Sequence, residues 1–141
     1  MRLFLDACVV LAAAGQKTGA SRFLFDTAAA NGWELQASNH VLAEIAANLP
    51  RFPPRAAREW PELAKGLVIV RDLASFSYPA IFEPGKDRPV LFTAAGWADI
   101  LLTWDRQHFG RFFGSGFYSL KISTPGDFLV AERKAGRLKF S

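Results

Sequence analysis

The sequence is short of the residues from which most small-protein staples and metal cages are built. Its 141 residues include one cysteine and two histidines. The lone Cys8 excludes a disulfide framework and any cysteine-based zinc site, and His40 with His108 are too few for a histidine-rich metal site. No run approaches the ~18 apolar residues needed to cross a bilayer, so no membrane association is expected. The N-terminal MRLFLDACVVLAAAG has the outline of an export signal, but Asp6 interrupts its apolar stretch, and a cytoplasmic protein is the expectation. There is no internal repeat, low-complexity tract or linker, and 11 Gly and 8 Pro are ordinary numbers that exclude a fibrous chain.

What is present is a core. Half of the residues are apolar and 21% are charged, which at this length predicts a single folded domain over residues 1–141. The net charge of +4 favours polyanionic partners without naming one.

Strand-type runs begin near residues 2, 33, 67, 100 and 120. Arg2–Leu5, Trp33–Ala37, Leu67–Val70, Ile100–Thr103 and Leu120–Ser123 are the expected strands. The β-branched LVIV run at 67–70 reads as a strand covered on both faces. Helices are expected over Gly19–Asn31, from Ser38 or Asn39 through Asn48, over Arg55–Lys65, Asp87–Ala95 and Thr124–Ala135. Gly32, Pro50, Gly66 and Gly96 serve as stops, with Pro89 and Pro125 in first turns. This alternation predicts an α/β fold: a three-layer α/β/α sandwich around a mainly parallel sheet of about five strands. In such sheets ligands bind outside the carboxyl ends of the strands.

Carboxylates gather at those ends. Asp6 directly follows the first strand, Asp105 follows the fourth, and Asp87 opens the helix leading into that fourth strand. Glu44 falls about 60° beyond the edge of its helix's apolar arc, at the boundary of the core. Each has an ordinary alternative: Asp87 and Asp105 as caps, Glu44 paired with Arg51 or Arg55. Asp6 is hardest to dismiss, because a carboxylate straight after LFL is unfavourable unless solvated, paired or metal-bound. Two carboxylates ~6 Å apart repel by roughly 3 kcal/mol at an effective dielectric of ~20. Four together would approach the roughly 5–15 kcal/mol net stability of a domain. A converged cluster therefore calls for a divalent cation, and an all-oxygen donor set suits Mg²⁺ or Mn²⁺.

LDACVVLAAA at the start, SNHVLAEIAANL around Glu44, KDRPVLFTAAGWADILLTWDRQHF at 86–109 and the C-terminal LKISTPGDFL together resemble a PIN domain, the fold of VapC-type toxins and related metal-dependent ribonucleases. The resemblance covers essentially the whole chain, and the segment ending in TWDRQHF is its most specific part. Carried over by motif, the family's acidic residues fall on Asp6, Glu44, Asp87 and Asp105, with Thr103 shaping the site. Asp99 is read as opening a strand and not as a ligand. Two positions depart from the family pattern: Cys8 stands where Asn or Ser is frequent, so a polar contact is expected to be lost, and Trp104 replaces a small residue, which is expected to narrow the entrance.

The resemblance implies an endoribonuclease that hydrolyses RNA phosphodiesters with Mg²⁺ or Mn²⁺, with an antitoxin protein and a homodimer as associated partners. Arg88 and Arg106 adjoin proposed ligands and are the expected contacts to the RNA backbone. Arg51, Arg55 and Arg58 form a second basic group. The aromatic stretch HFGRFFGSGFY at 108–118 reads as core or interface, with base stacking as the functional alternative. A receiver domain with Asp72 as phospho-acceptor and Lys121 as its partner fails because Asp6 is followed by Ala7. A haloacid-dehalogenase-like phosphatase fails because residue 8 is Cys. The remaining rival is a PIN-like module that binds RNA or protein without cleaving.

Overall fold

The computed structural model describes residues 1–73 and 87–140, with the backbone alone for Asp87 and Arg88. The strands are β1 (Arg2–Leu5), β2 (Glu34–Ser38), β3 (Leu67–Val70), β4 (Ile100–Leu102) and β5 (Lys121–Ser123). The described helices are α1 (Ala7–Gly15), α2 (Ala20–Asn31), α3 (Asn39–Asn48), α4 (Pro54–Lys65), α5 (Asp87–Trp97), α6 (Arg106–Phe109) and α7 (Pro125–Lys134). The strands form one sheet in the order β3-β2-β1-β4-β5, and all four pairings are parallel. Helices flank this sheet in the expected α/β/α sandwich.

The order locates the switch point. From β1 the chain moves outward through β2 and β3, then returns to the other side of β1 for β4 and β5. The crossovers after β1 and β4 therefore diverge and open a crevice at the carboxyl ends of these two strands. Leu3 pairs with Ile100 and Leu5 with Leu102, so Asp6 and Thr103 leave the sheet side by side. The Asp6 amide then donates to the Leu102 carbonyl at 3.0 Å, continuing the ladder past the last strand residue.

The sheet is held by an apolar layer in which Leu3, Phe4, Leu5, Leu35, Leu101 and Leu102 are almost wholly buried. Trp33 packs edge-on to Phe128 at 5.2 Å between ring centroids. Within the aromatic stretch Phe109 and Phe117 are buried, whereas Tyr118 is half exposed with φ at +55°. The helix α1 has no counterpart among the helices expected from sequence. Six of its nine residues are buried, so an all-apolar run shows no amphipathic period. The expectation for the LVIV run is corrected: β3 is an edge strand, and Val68 and Ile69 are 44% and 46% exposed. A continuous apolar run fits either position, because the polarity pattern does not separate a covered face from an apolar edge.

Candidate active-site cleft

A cleft of about 450 Å³ opens at the switch point, lined by Asp6, His40, Glu44, Asn48, Pro89, Val90, Asp105, His108 and Phe109. Three of the four acidic residues expected from sequence therefore face one space. The side chains of the fourth, Asp87, and of Arg88 lie outside the described residues, although Asp87 begins α5 and Pro89 and Val90 of the same helix line the cleft.

Asp6 is the deepest of the three, at 8% exposure. It caps α1, and its Oδ1 accepts from the Ala7 amide at 2.9 Å, where the helix dipole favours an anion. Its Oδ2 accepts from the Thr103 hydroxyl at 2.8 Å. Burial pushes the Asp6 carboxyl above its ordinary range, these two hydrogen bonds pull it back, and Glu44 and Asp105 push it up again. The upward effects win.

Thr103 ties Asp6 to Asp105: its hydroxyl donates to Asp6 and accepts from the Asp105 amide at 3.0 Å. Asp105 caps α6 by accepting from the His108 amide at 3.0 Å, and its Oδ2 meets His108 Nδ1 at 2.5 Å. Burial pushes Asp105 up, but the His108 amide and ring together outweigh it, and its carboxyl lies below the usual value.

Across the cleft Ser38 accepts from the Val41 amide at 3.5 Å, and Asp72 accepts from the His40 amide at 3.1 Å, fixing the start of α3. Glu44 sits one turn further on. Its Oε1 is 2.8 Å from His40 Nε2, an ion-pair distance without hydrogen-bond alignment, and Arg51 turns instead to Asn48. Asp72, weighed above as a phospho-acceptor, is thus a helix cap.

The two departures from the family pattern resolve locally. Cys8 Sγ lies 3.5 Å from Thr103 Oγ1 and 3.7 Å from Asp6 Oδ2, and it accepts from the Trp104 amide at 3.3 Å. The thiol thus occupies the polar position, correcting the expectation of a lost contact. Burial first, and Asp6 next, push it up to about 11, so it remains a neutral thiol. Trp104 does not line the cleft; its indole Nε1 donates to Ser21 Oγ at 2.9 Å, which corrects the expectation of a narrowed entrance. Arg106 also turns away. It lines a separate groove, 3.6 Å from Asp127 and over the Phe113 ring.

His40 and Asn48 were not expected as cleft residues, and His108 was expected to be structural, with a hydrogen bond to phosphate as its functional alternative. The signal was present in the spacing, since His40–Glu44 and Asp105–His108 are i,i+4 and i,i+3 pairs that share a helix face.

The donor chemistry fits a hard divalent cation. Three carboxylates line the cleft, Asp6 is buried, and among the described lining residues none is Lys or Arg. Each oxygen of Asp6 and Asp105 keeps lone-pair capacity beyond the bonds named. No group of three His, Cys, Asp or Glu able to hold a metal is complete among the described residues.

The molecule is thus a parallel α/β sandwich with an acidic crevice at its switch point. A family model described as PIN domain matches residues 2–107, and the chain belongs to the PIN domain family. Members of this family are typically nucleases and generally use divalent metals. No curated protein and no solved structure matches the chain. Among the described residues no helix is long and apolar enough to cross a membrane.

Proposed function

We propose that the cleft hydrolyses RNA phosphodiester bonds with Mg²⁺ or Mn²⁺, as an endoribonuclease. The observation that carries this reading is Asp6: a buried carboxylate facing two others, with no Lys or Arg among the described residues lining its cleft. Such a group is stabilised by a cation supplied from outside. Asp6 and Asp105 are the residues that would hold it, with Glu44 and Asp87 completing the set. When bound, the ion lowers the pKa of its water and offsets charge developing on the phosphate.

The chain's own residues then have separate tasks. Thr103 fixes the spacing of Asp6 and Asp105. Glu44 or Asp87 accepts the proton of the attacking water as that oxygen bonds to phosphorus; the leaving oxygen departs and is protonated from solvent. Arg88, next to Asp87, is the proposed contact to the RNA backbone. Arg106 joins it only by leaving Asp127, a loose contact between side chains 65% and 70% exposed.

A VapC-like toxin within a toxin–antitoxin pair, with the chain as one cytoplasmic domain that forms a homodimer, is the finer proposal. It rests on the sequence resemblance in the TWDRQHF segment. An antitoxin would cover the acidic cleft with a basic side chain.

The test is a cleavage assay of the full chain on single-stranded RNA with Mg²⁺ or Mn²⁺. Cleavage that stops with EDTA and in Asp6→Ala is expected. Cleavage that survives either change overturns the reading. The rival reading is a module that binds RNA without cleaving it. RNA retention without cleavage in the same assay would select it.

A further inference from the structure

The two histidines of the cleft stand in matching positions. His108 follows Asp105 on the β4 side of β1, and His40 precedes Glu44 on the β2 side. We propose that His108 and His40 are positioning residues, each fixing the orientation of one cleft carboxylate toward a bound divalent cation. This rests on the metal-dependent reading above.

The contacts at Asp105 exceed what a helix cap requires. The His108 amide on Oδ1 already caps α6, yet the ring of the same residue reaches the other oxygen at 2.5 Å. One residue therefore grips both carboxylate oxygens and stops their rotation about the Cβ–Cγ bond. α6 is only four residues long, and besides His108 the carboxylate is held by the Gln107 amide. Glu44 has the opposite problem, a longer side chain that is 40% exposed. His40 Nε2 lies 2.8 Å from its Oε1, an ion-pair distance without hydrogen-bond alignment, and the His40 backbone is itself held by Asp72.

Intrahelical acid–base pairs away from the cleft use full cations, as in Arg22 with Asp26 and Lys65 with Glu62. Both pairs inside the cleft use imidazole. A Lys or Arg there would offset the carboxylate's charge permanently and oppose a second cation. An imidazole instead sets a single ring nitrogen against one carboxylate oxygen. Both rings also line the cleft. Groups that orient metal-binding side chains typically change metal affinity ~10–100-fold when removed.

The test measures Mn²⁺ binding to the full chain by the paramagnetic resonance signal of free Mn²⁺, with thermal melts of the metal-free proteins alongside. Wild type is compared with His108→Ala, His108→Asn, His40→Ala and His40→Gln. His108→Ala is expected to weaken Mn²⁺ binding on the order of tenfold. His108→Asn, which keeps a side-chain N–H near the Nδ1 position, is expected to recover most of it. His40→Ala should lose less and His40→Gln should restore it, with metal-free melting nearly unchanged throughout. Wild-type affinity in both alanine variants would overturn the inference and leave the metal reading standing. So would an Asn variant no better than Ala. Absence of Mn²⁺ binding to wild type would overturn the metal reading itself, and this inference with it.

Discussion

Glu132 and Asp6 are both buried acids, at 4% and 8% exposure, but the chain treats them in opposite ways. Glu132 on α7 is answered by Arg137, whose Nε and Nη2 both reach its Oε2, at 3.1 and 2.5 Å. The pair fastens the C-terminal tail to its helix. Asp6 meets an amide, a hydroxyl and a thiol, and beyond them two more carboxylates. A buried acid with its own cation is complete in the folded chain. A buried acid facing other acids is complete only with something added. Asp99 makes the same contrast at the opposite end of the sheet: the Arg2 amide, at 2.7 Å, and the Arg2 guanidinium hold its carboxyl below the ordinary value.

This contrast breaks most visibly if Asp6→Asn leaves cleavage intact. The account expects the variant to lose at least about 100-fold in rate in an RNA cleavage assay, the scale on which a single essential catalytic group matters. The metal-free variant should be no less stable than wild type in urea, because the amide removes charge from an acidic site.

Next in size is Thr103→Val, which deletes the link between Asp6 and Asp105. It leaves the buried carboxylate and the Asp105 amide short of a partner and is expected to lower stability by about 1–3 kcal/mol. Urea unfolding measures this, and Mn²⁺ affinity should fall with it. Arg137→Ala sharpens the other side: it should lower the melting temperature by leaving Glu132 buried and unpaired, with cleavage and Mn²⁺ affinity unchanged. A parallel loss of cleavage would show that the two acids are not separate in role.

The pH dependence gives a smaller effect of defined sign. The folded pKa of Asp6 is raised above its unfolded value, so Asp6 favours the folded state below the unfolded pKa. That contribution is lost as pH rises through the folded pKa. The metal-free stability difference between wild type and Asp6→Asn should therefore move against wild type as pH rises from the ordinary carboxylate range. Asp99 and Asp105 have lowered values, and their stabilisation is lost as pH falls; subtracting the variant removes Asp99, whereas Asp105, which interacts with Asp6, adds a change of the opposite sign at the acid end. The smallest effect is expected from Asp99→Asn, which weakens a half-exposed pair and should shift the melt only slightly, with no change in cleavage.

Much of this arrangement was legible in the chain. Alternating apolar runs and stops predicted the parallel sandwich, and an acid directly after LFL marked Asp6. Position along the chain sufficed there, because a strand's carboxyl end follows from element order, whereas the switch point required the spatial strand order. Side-chain direction did not follow. Trp104 points to Ser21 and Arg106 to Asp127, since each found a nearer partner away from the cleft. His40 went unassigned, and the pairing of His108 with Asp105 unforeseen, because both depend on side chains meeting across one helical turn. The helix α1 was missed because its buried surface runs almost all the way round.

The most direct test of the central claim is a Mn²⁺ and Mg²⁺ titration of thermal stability, with Asp6→Asn and Asp105→Asn beside the wild type. A cation bound only by the folded chain, at ~100 times its Kd, adds about 2.7 kcal/mol. The account predicts that stabilisation in the wild type and its loss in both variants. An unchanged wild-type melt at millimolar metal, or equal stabilisation of all three proteins, would contradict it.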